Sequence, residues 1–286
     1  MFDLRYHVAS LAAVFVALII GILVGVGLAG SGVTKQADLN VARAHNDDLQ
    51  RDLDSAQARI KQLKRTEDAF QQGYPALMAG RLAGKQIAIL FIGPVDTGIS
   101  SDIEQTLEDA GGPPPLRLRA VDVPINPLDL DKLLGGRPAL AQYVGDDKLT
   151  ALGQVLGREF ALGGSAPLWK VLASRLVEER SGPLKPRADG IVVVRSVKPQ
   201  QGATARFLAG VFAGLASTGL PAVGVEKSGT TLSAIKVYLD RGLSAVDDID
   251  LSTGRAALAL LLAGGGPGHF GIADDADAVL PTFPVG

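Results

Sequence analysis

Asp247, Asp248 and Asp250 form one carboxylate cluster and Asp274, Asp275 and Asp277 a second. Hard cations take several such oxygens, yet neither cluster has the ligand spacing of a cation-binding loop, so both are expected as solvated turns or helix starts and no metal site is predicted. The only histidines are His7, His45 and His269. The first abuts an apolar run, the second lies on an expected stalk and the third in a glycine-rich tail loop, a scatter that argues against a Ser/His/Asp triad. Gly266, Gly268 and Gly271 satisfy G-x-G-x-x-G, but they follow an expected helix and enclose Pro267, where a dinucleotide site needs a strand-to-helix turn. There is no G-x-x-x-x-G-K-[ST], and Ser165 in GGSAP lacks the closing glycine of a nucleophile elbow. No catalytic motif survives, so neither an enzyme nor a cofactor is expected.

Loops at the carboxyl ends of parallel strands are where α/β domains hold ligands. Two qualify by position: residues 93–98 with Asp96 and Thr97, and residues 226–229 with Glu226, Lys227 and Ser228. Asp96 and Ser228 have an equally simple use as cap or turn residues. The elements around these loops read clearly. Residues 86–92, 116–123, Gly190–Arg195 and Ala222–Val225 are compact apolar runs, whereas 148–160, 166–179, 202–218 and 253–263 have helical patterns, and a further helix opens at Ser100–Asp102. Alternating strands and helices with continuous apolar strands predict an α/β domain, a mainly parallel sheet covered by helices on both faces. The Pro-rich stretch 112–127 and residues 182–186 are expected as surface connections.

Composition narrows the function classes. The chain has 286 residues, no cysteine and a formal net charge of −2. Thiolate catalysis, disulfides and Cys-based zinc or iron–sulfur sites are excluded. No basic patch is interleaved with aromatics, so nucleic acid is not an expected partner.

The N-terminal third carries a different pattern. Residues 8–28 form an uncharged apolar run of about the length that crosses a bilayer as a helix. A cleaved signal peptide is the competing reading, with a small-x-small site at Gly27 and Ala29. Ala9, Ala13, Ala17, Gly21, Gly25 and Ala29 recur at every fourth position, a small-residue ridge with Gly21 and Gly25 as its GxxxG core and a candidate dimerisation face. Beyond it, residues 39–70 alternate three- and four-residue spacings through Asn46, Leu49, Leu53, Ile60 and Leu63, an a/d seam of a coiled coil with Asn46 at an a position. Helices hung from membrane spans at one end would pair in parallel. Arg59 would then face Lys64 of a second chain, and the alternative is an amphipathic helix packed on its own domain. The expected division is 1–30 anchor, 31–78 stalk and 79–286 α/β domain. Flanking charges balance, so orientation rests on the form of a signal anchor, which places the large domain outside the cytoplasm.

The opening MFDLRYHVASLAAVFVALIIGILVG, the stalk, Gly80-Arg-Leu-Ala-Gly84, LSAVDDID at 243–250, Gly254-Arg255 and Gly268-His-Phe-Gly271 together resemble the actinobacterial copper transporter family of MctB-like and SteB-like proteins. The resemblance implies an envelope protein associated with copper homeostasis, and a link to cell separation with a thiamine-pyrophosphokinase-like membrane partner. It brings no catalytic motif. Copper(I) favours thiolate and thioether ligands, and this chain offers only Met1 and Met78. A single membrane helix also makes no pore. Two readings follow: a copper-transport membrane protein, or a dimeric envelope scaffold recruiting partners such as peptidoglycan hydrolases or their regulators.

Overall fold

The computed structural model describes residues 13–22 and 35–282. The chain divides into two compact units, Met1–Asp68 and Ala69–Gly286. In the first, residues 13–22 are helical and exposed, and helix α1 (Lys35–Met78) begins. Among the described residues no helix is long and apolar enough to cross a membrane. The rest of the expected span, Gly25 included, lies outside the described residues.

The second unit is built on a seven-stranded sheet of order β3-β2-β1-β4-β5-β6-β7. Strand β1 (Ile87–Ile92) is apolar and buried at every position, the mark of a strand covered on both faces. Its Ala88, Leu90 and Ile92 enter one core and its Ile87, Ile89 and Phe91 the other, because successive side chains leave a strand on opposite sides. Strands β2 (Arg117–Val121), β4 (Gly190–Arg195), β5 (Ala222–Val225), β6 (Ser244–Val246) and β7 (His269–Phe270) continue the parallel pairing, while β3 (Val177–Ser181) runs antiparallel along β2. The first core takes Leu130 of α3 (Pro127–Gly135), Leu156 of α4 (Leu149–Leu162), Trp169 of α5 (Pro167–Leu176), Val211 of α6 (Gly202–Ala216) and Tyr238 of α7 (Ile235–Leu239). The second takes Ile103 of α2 (Thr97–Asp109), Leu258 of α8 (Ser252–Leu262) and Met78 at the end of α1. Phe70, Tyr74 and Leu77 also pack on that core, so the end of α1 belongs structurally to the α/β unit.

One detail departs from the sequence expectation, and two others add to it. Helix α5 stops at Leu176 rather than running to 179, because Val177–Ser181 pairs with β2 as an edge strand whose charged side chains suit an exposed edge. Residues 182–186 are tied down, since the buried Arg117 guanidinium donates to the carbonyls of Leu184 at 2.8 Å, Pro186 at 2.7 Å and Pro183 at 3.2 Å. Burial lowers the pKa of Arg117 to about 10, and neighbouring Arg119 adds to the effect. Finally, α4 and α6 meet backbone to backbone. A Cβ placed on Gly153 would sit 2.1 Å from the Phe207 carbonyl oxygen, and one on Gly157 2.3 Å from that of Val211; Gly210 and Gly214 return the same fit against Thr150 and Gln154.

Candidate functional site

Beyond the carboxyl ends of β5, β6 and β7 lies a cleft of about 480 Å³. Glu226 is the first residue past β5, Asp247 the first past β6, and His269 opens β7; all three are buried and line this cleft. The Asp247 carboxylate is held on every side. Its Oδ2 lies 2.7 Å from His269 Nε2, and its Oδ1 accepts from the N–H groups of Ile272 at 2.9 Å and Ala273 at 3.3 Å. Those contacts require the chain to pass tightly over the carboxylate. Gly271 has φ +139°, and a Cβ there would come within 2.2 Å of Asp247 Oδ1, so no larger residue fits. The main-chain N–H of His269 is in turn accepted by Asp277 at 2.9 Å.

Glu226 accepts the Ala234 N–H on Oε2 at 2.8 Å, which ties down the loop entering α7. Ser228 donates its N–H and its hydroxyl to Asp250, both at 2.7 Å. Burial opposes ionisation of Asp250, but these two bonds, together with its own backbone N–H and the charge of Lys227, hold the carboxyl below its ordinary range. Asp96 caps α2 by accepting the Ile99 N–H at 3.0 Å, and Lys227 Nζ lies 3.5 Å away. The capping bond, then Lys227, keep Asp96 low. Asp248 is the opposite case. It is 0% exposed, its Oδ2 accepts the Thr253 hydroxyl at 2.5 Å, and its Oδ1 has no partner. Burial pushes its carboxyl up to about 6, with Asp247 and Asp250 adding to the rise.

The two strand-end loops named from the sequence use their side chains differently. Glu226 and Lys227 line the cleft, whereas Asp96 and Ser228 serve as a cap and a loop tie, and Thr97 is an exposed first residue of α2. The acidic cluster at 247–250 is not solvated as expected: Asp247 and Asp248 are buried, because β6 delivers them directly from a buried strand. Likewise His269 lies not in a tail loop but in a buried strand, bonded to Asp247. Both escaped sequence reading because β6 and β7 are too short to show a hydrophobic period. On α1, Asn46, Leu49, Leu53 and Ile60 are exposed, while the side chain of Leu63 lies outside the described residues. A Cβ placed on Gly21 would meet nothing beyond its own helix within 4 Å among the described residues.

A family model described as copper transport outer membrane protein, MctB, matches residues 1–281. The chain belongs to the MctB family. No curated protein matches it. The family description points to a membrane or envelope location and to copper transport. Within this MctB chain the two late sequence signatures converge in space: 243–250 supplies β6 and Asp247, and 268–271 supplies β7 and the glycine that clears its carboxylate. Copper as cargo finds no ready-made cage here. Among the described residues no group of three or more His, Asp or Glu side chains is placed to hold a metal ion. Met78 is sealed in the core, and His269 has one ring nitrogen committed to Asp247.

Proposed function

We propose that the protein is a membrane-anchored, parallel homodimer of the cell envelope that supports copper transport as a scaffold, with no enzymatic step of its own. One observation carries this reading. Leu49, Leu53 and Ile60 follow the three-and-four rhythm of a coiled-coil seam on a helix 44 residues long, yet they are 53%, 56% and 62% exposed. Covering each such side chain is worth about 1.5–3 kcal/mol, so a second copy of the same stripe is a strong candidate partner. The apolar run at 8–28 supplies the anchor, and anchoring both chains at the same end selects the parallel arrangement. Copper passage would then depend on the assembly and on proteins it recruits rather than on a ligand cage within one chain. Asp48 and Asp54, off the seam and exposed, offer a polar surface for such recruitment.

The test is disulfide crosslinking of Asn46→Cys in membranes. Efficient crosslinking of the single variant, abolished when Leu49→Asp and Leu53→Asp are added, is the expected result. Crosslinking that survives those two charges would place the interface elsewhere and overturn the reading.

A further inference from the structure

The cleft beyond β5, β6 and β7 presents two buried side chains, each with one polar atom left open. Glu226 uses Oε2 on the Ala234 N–H, and among the described residues none donates to its Oε1. His269 uses Nε2 on Asp247, and Nδ1 has no partner among the described residues. Among the described residues the sealed, unpartnered side-chain atoms are Arg117 Nε, Tyr238 Oη, Asp248 Oδ1 and Arg255 Nε; Glu226 Oε1 and His269 Nδ1 are not sealed, and both residues line the cleft. Because Asp247 already accepts two backbone N–H groups on Oδ1, its carboxylate is an acceptor, so Nε2 is the donor, and in that tautomer the lone pair sits on Nδ1.

Both open atoms are therefore acceptors, and what they lack is a donor. The two lysines at the cleft do not supply one. Lys227 pairs with Asp96 at 3.5 Å and Lys236 with Asp240 at 3.4 Å, carboxylates that are not part of the lining, while the exposed Asp275 adds negative charge at the rim. A metal ion would need a third protein ligand, and no such group of three exists among the described residues. We infer that this cleft binds a small organic solute through a primary ammonium group, whose three N–H donors meet Glu226 Oε1 and His269 Nδ1. The cleft volume of about 480 Å³ leaves room for the carbon body of such a solute. This site is independent of the stalk and of dimerisation.

The probe is 1,4-diaminobutane, titrated calorimetrically into the full chain in detergent micelles at pH 8, where an ordinary imidazole is neutral. Binding at or below about 1 mM is expected, with the His269 Nδ1 resonance shifted on saturation. Glu226→Gln keeps the acceptor for Ala234 but removes the charge, and should weaken binding about tenfold or more; Asp275→Asn should weaken it about threefold. Tetramethylammonium, with the same charge and no N–H, should not compete. The inference is overturned by absence of binding, by equal affinity for tetramethylammonium, by unchanged affinity in both variants, or by copper(II) alone occupying His269 while the diamine does not. Should Glu226→Gln fail to fold, Asp275→Asn and the His269 resonance decide the matter.

Discussion

Helices α4 and α6 touch through glycine, whereas the stalk part of α1 displays Leu49, Leu53 and Ile60 to solvent. In the first pair, deletion of four side chains lets two backbones close to van der Waals distance, and the fit is completed inside one chain. On the stalk, the large apolar side chains of Leu49, Leu53 and Ile60 recur at regular spacing but remain exposed among the described residues. Close packing already satisfied and close packing still owed thus read as two opposite kinds of helix surface. Gly21, with open space where its side chain would be, belongs to the second kind.

The largest expected effect breaks the satisfied side. Gly157→Leu drives a side chain into the Val211 carbonyl and should cost roughly 3 kcal/mol or more, seen as loss of the cooperative thermal transition of the α/β unit. Gly21→Leu, by contrast, should leave that transition unmoved. Next in size, Leu49→Asp with Leu53→Asp should dissociate the proposed dimer in analytical ultracentrifugation while the same thermal transition persists. If dissociation also unfolds the α/β unit, the contrast between the two surfaces fails.

A third prediction concerns the α/β unit alone. Asp248 titrates near 6 when folded and near 3.8 otherwise. Between those values the folded state keeps a proton that the unfolded state releases, so stability falls as pH rises from about 4 to about 6 and levels off above about 7. The loss is on the order of 3 kcal/mol. Asp248→Asn should flatten this slope in urea unfolding followed from pH 4 to 8, with its greatest relative gain at the alkaline end. Smallest is the charge reversal Asp47→Lys, Asp48→Lys and Asp54→Lys. It lies off the seam, so crosslinking through position 46 should be unchanged, while capture of partner proteins from solubilised membranes should fall. Retention of every partner would make the stalk a spacer only.

Long elements were legible in the sequence because their burial leaves a repeating mark. Gly190–Arg195 and Ala222–Val225 have the bounds their apolar runs predicted, and α6 and α8 lie within two residues of expectation. The cleft was only half legible. Glu226 follows a four-residue strand that can be read, but Asp247 and His269 follow or occupy strands of three and two residues, held in register by neighbours rather than by any pattern of their own. A hydrogen bond between positions 22 residues apart has no local signature, and the glycine at 271 looked like loop punctuation until the carboxylate beneath it was seen. The glycine pairing of α4 and α6 was hidden for a related reason: GxxxG announces that something comes close without saying what.

Edge strand β3 gains a meaning once two chains share one stalk. Tethering raises the effective concentration of one domain around its twin toward the millimolar range, where any free sheet edge becomes a template for fusion. Here the strand on that edge carries Glu178, Glu179 and Arg180, all exposed. In the proposed dimer, two domains held side by side would thus have a charged border that repels further β-pairing, so that crowding need not end in aggregation.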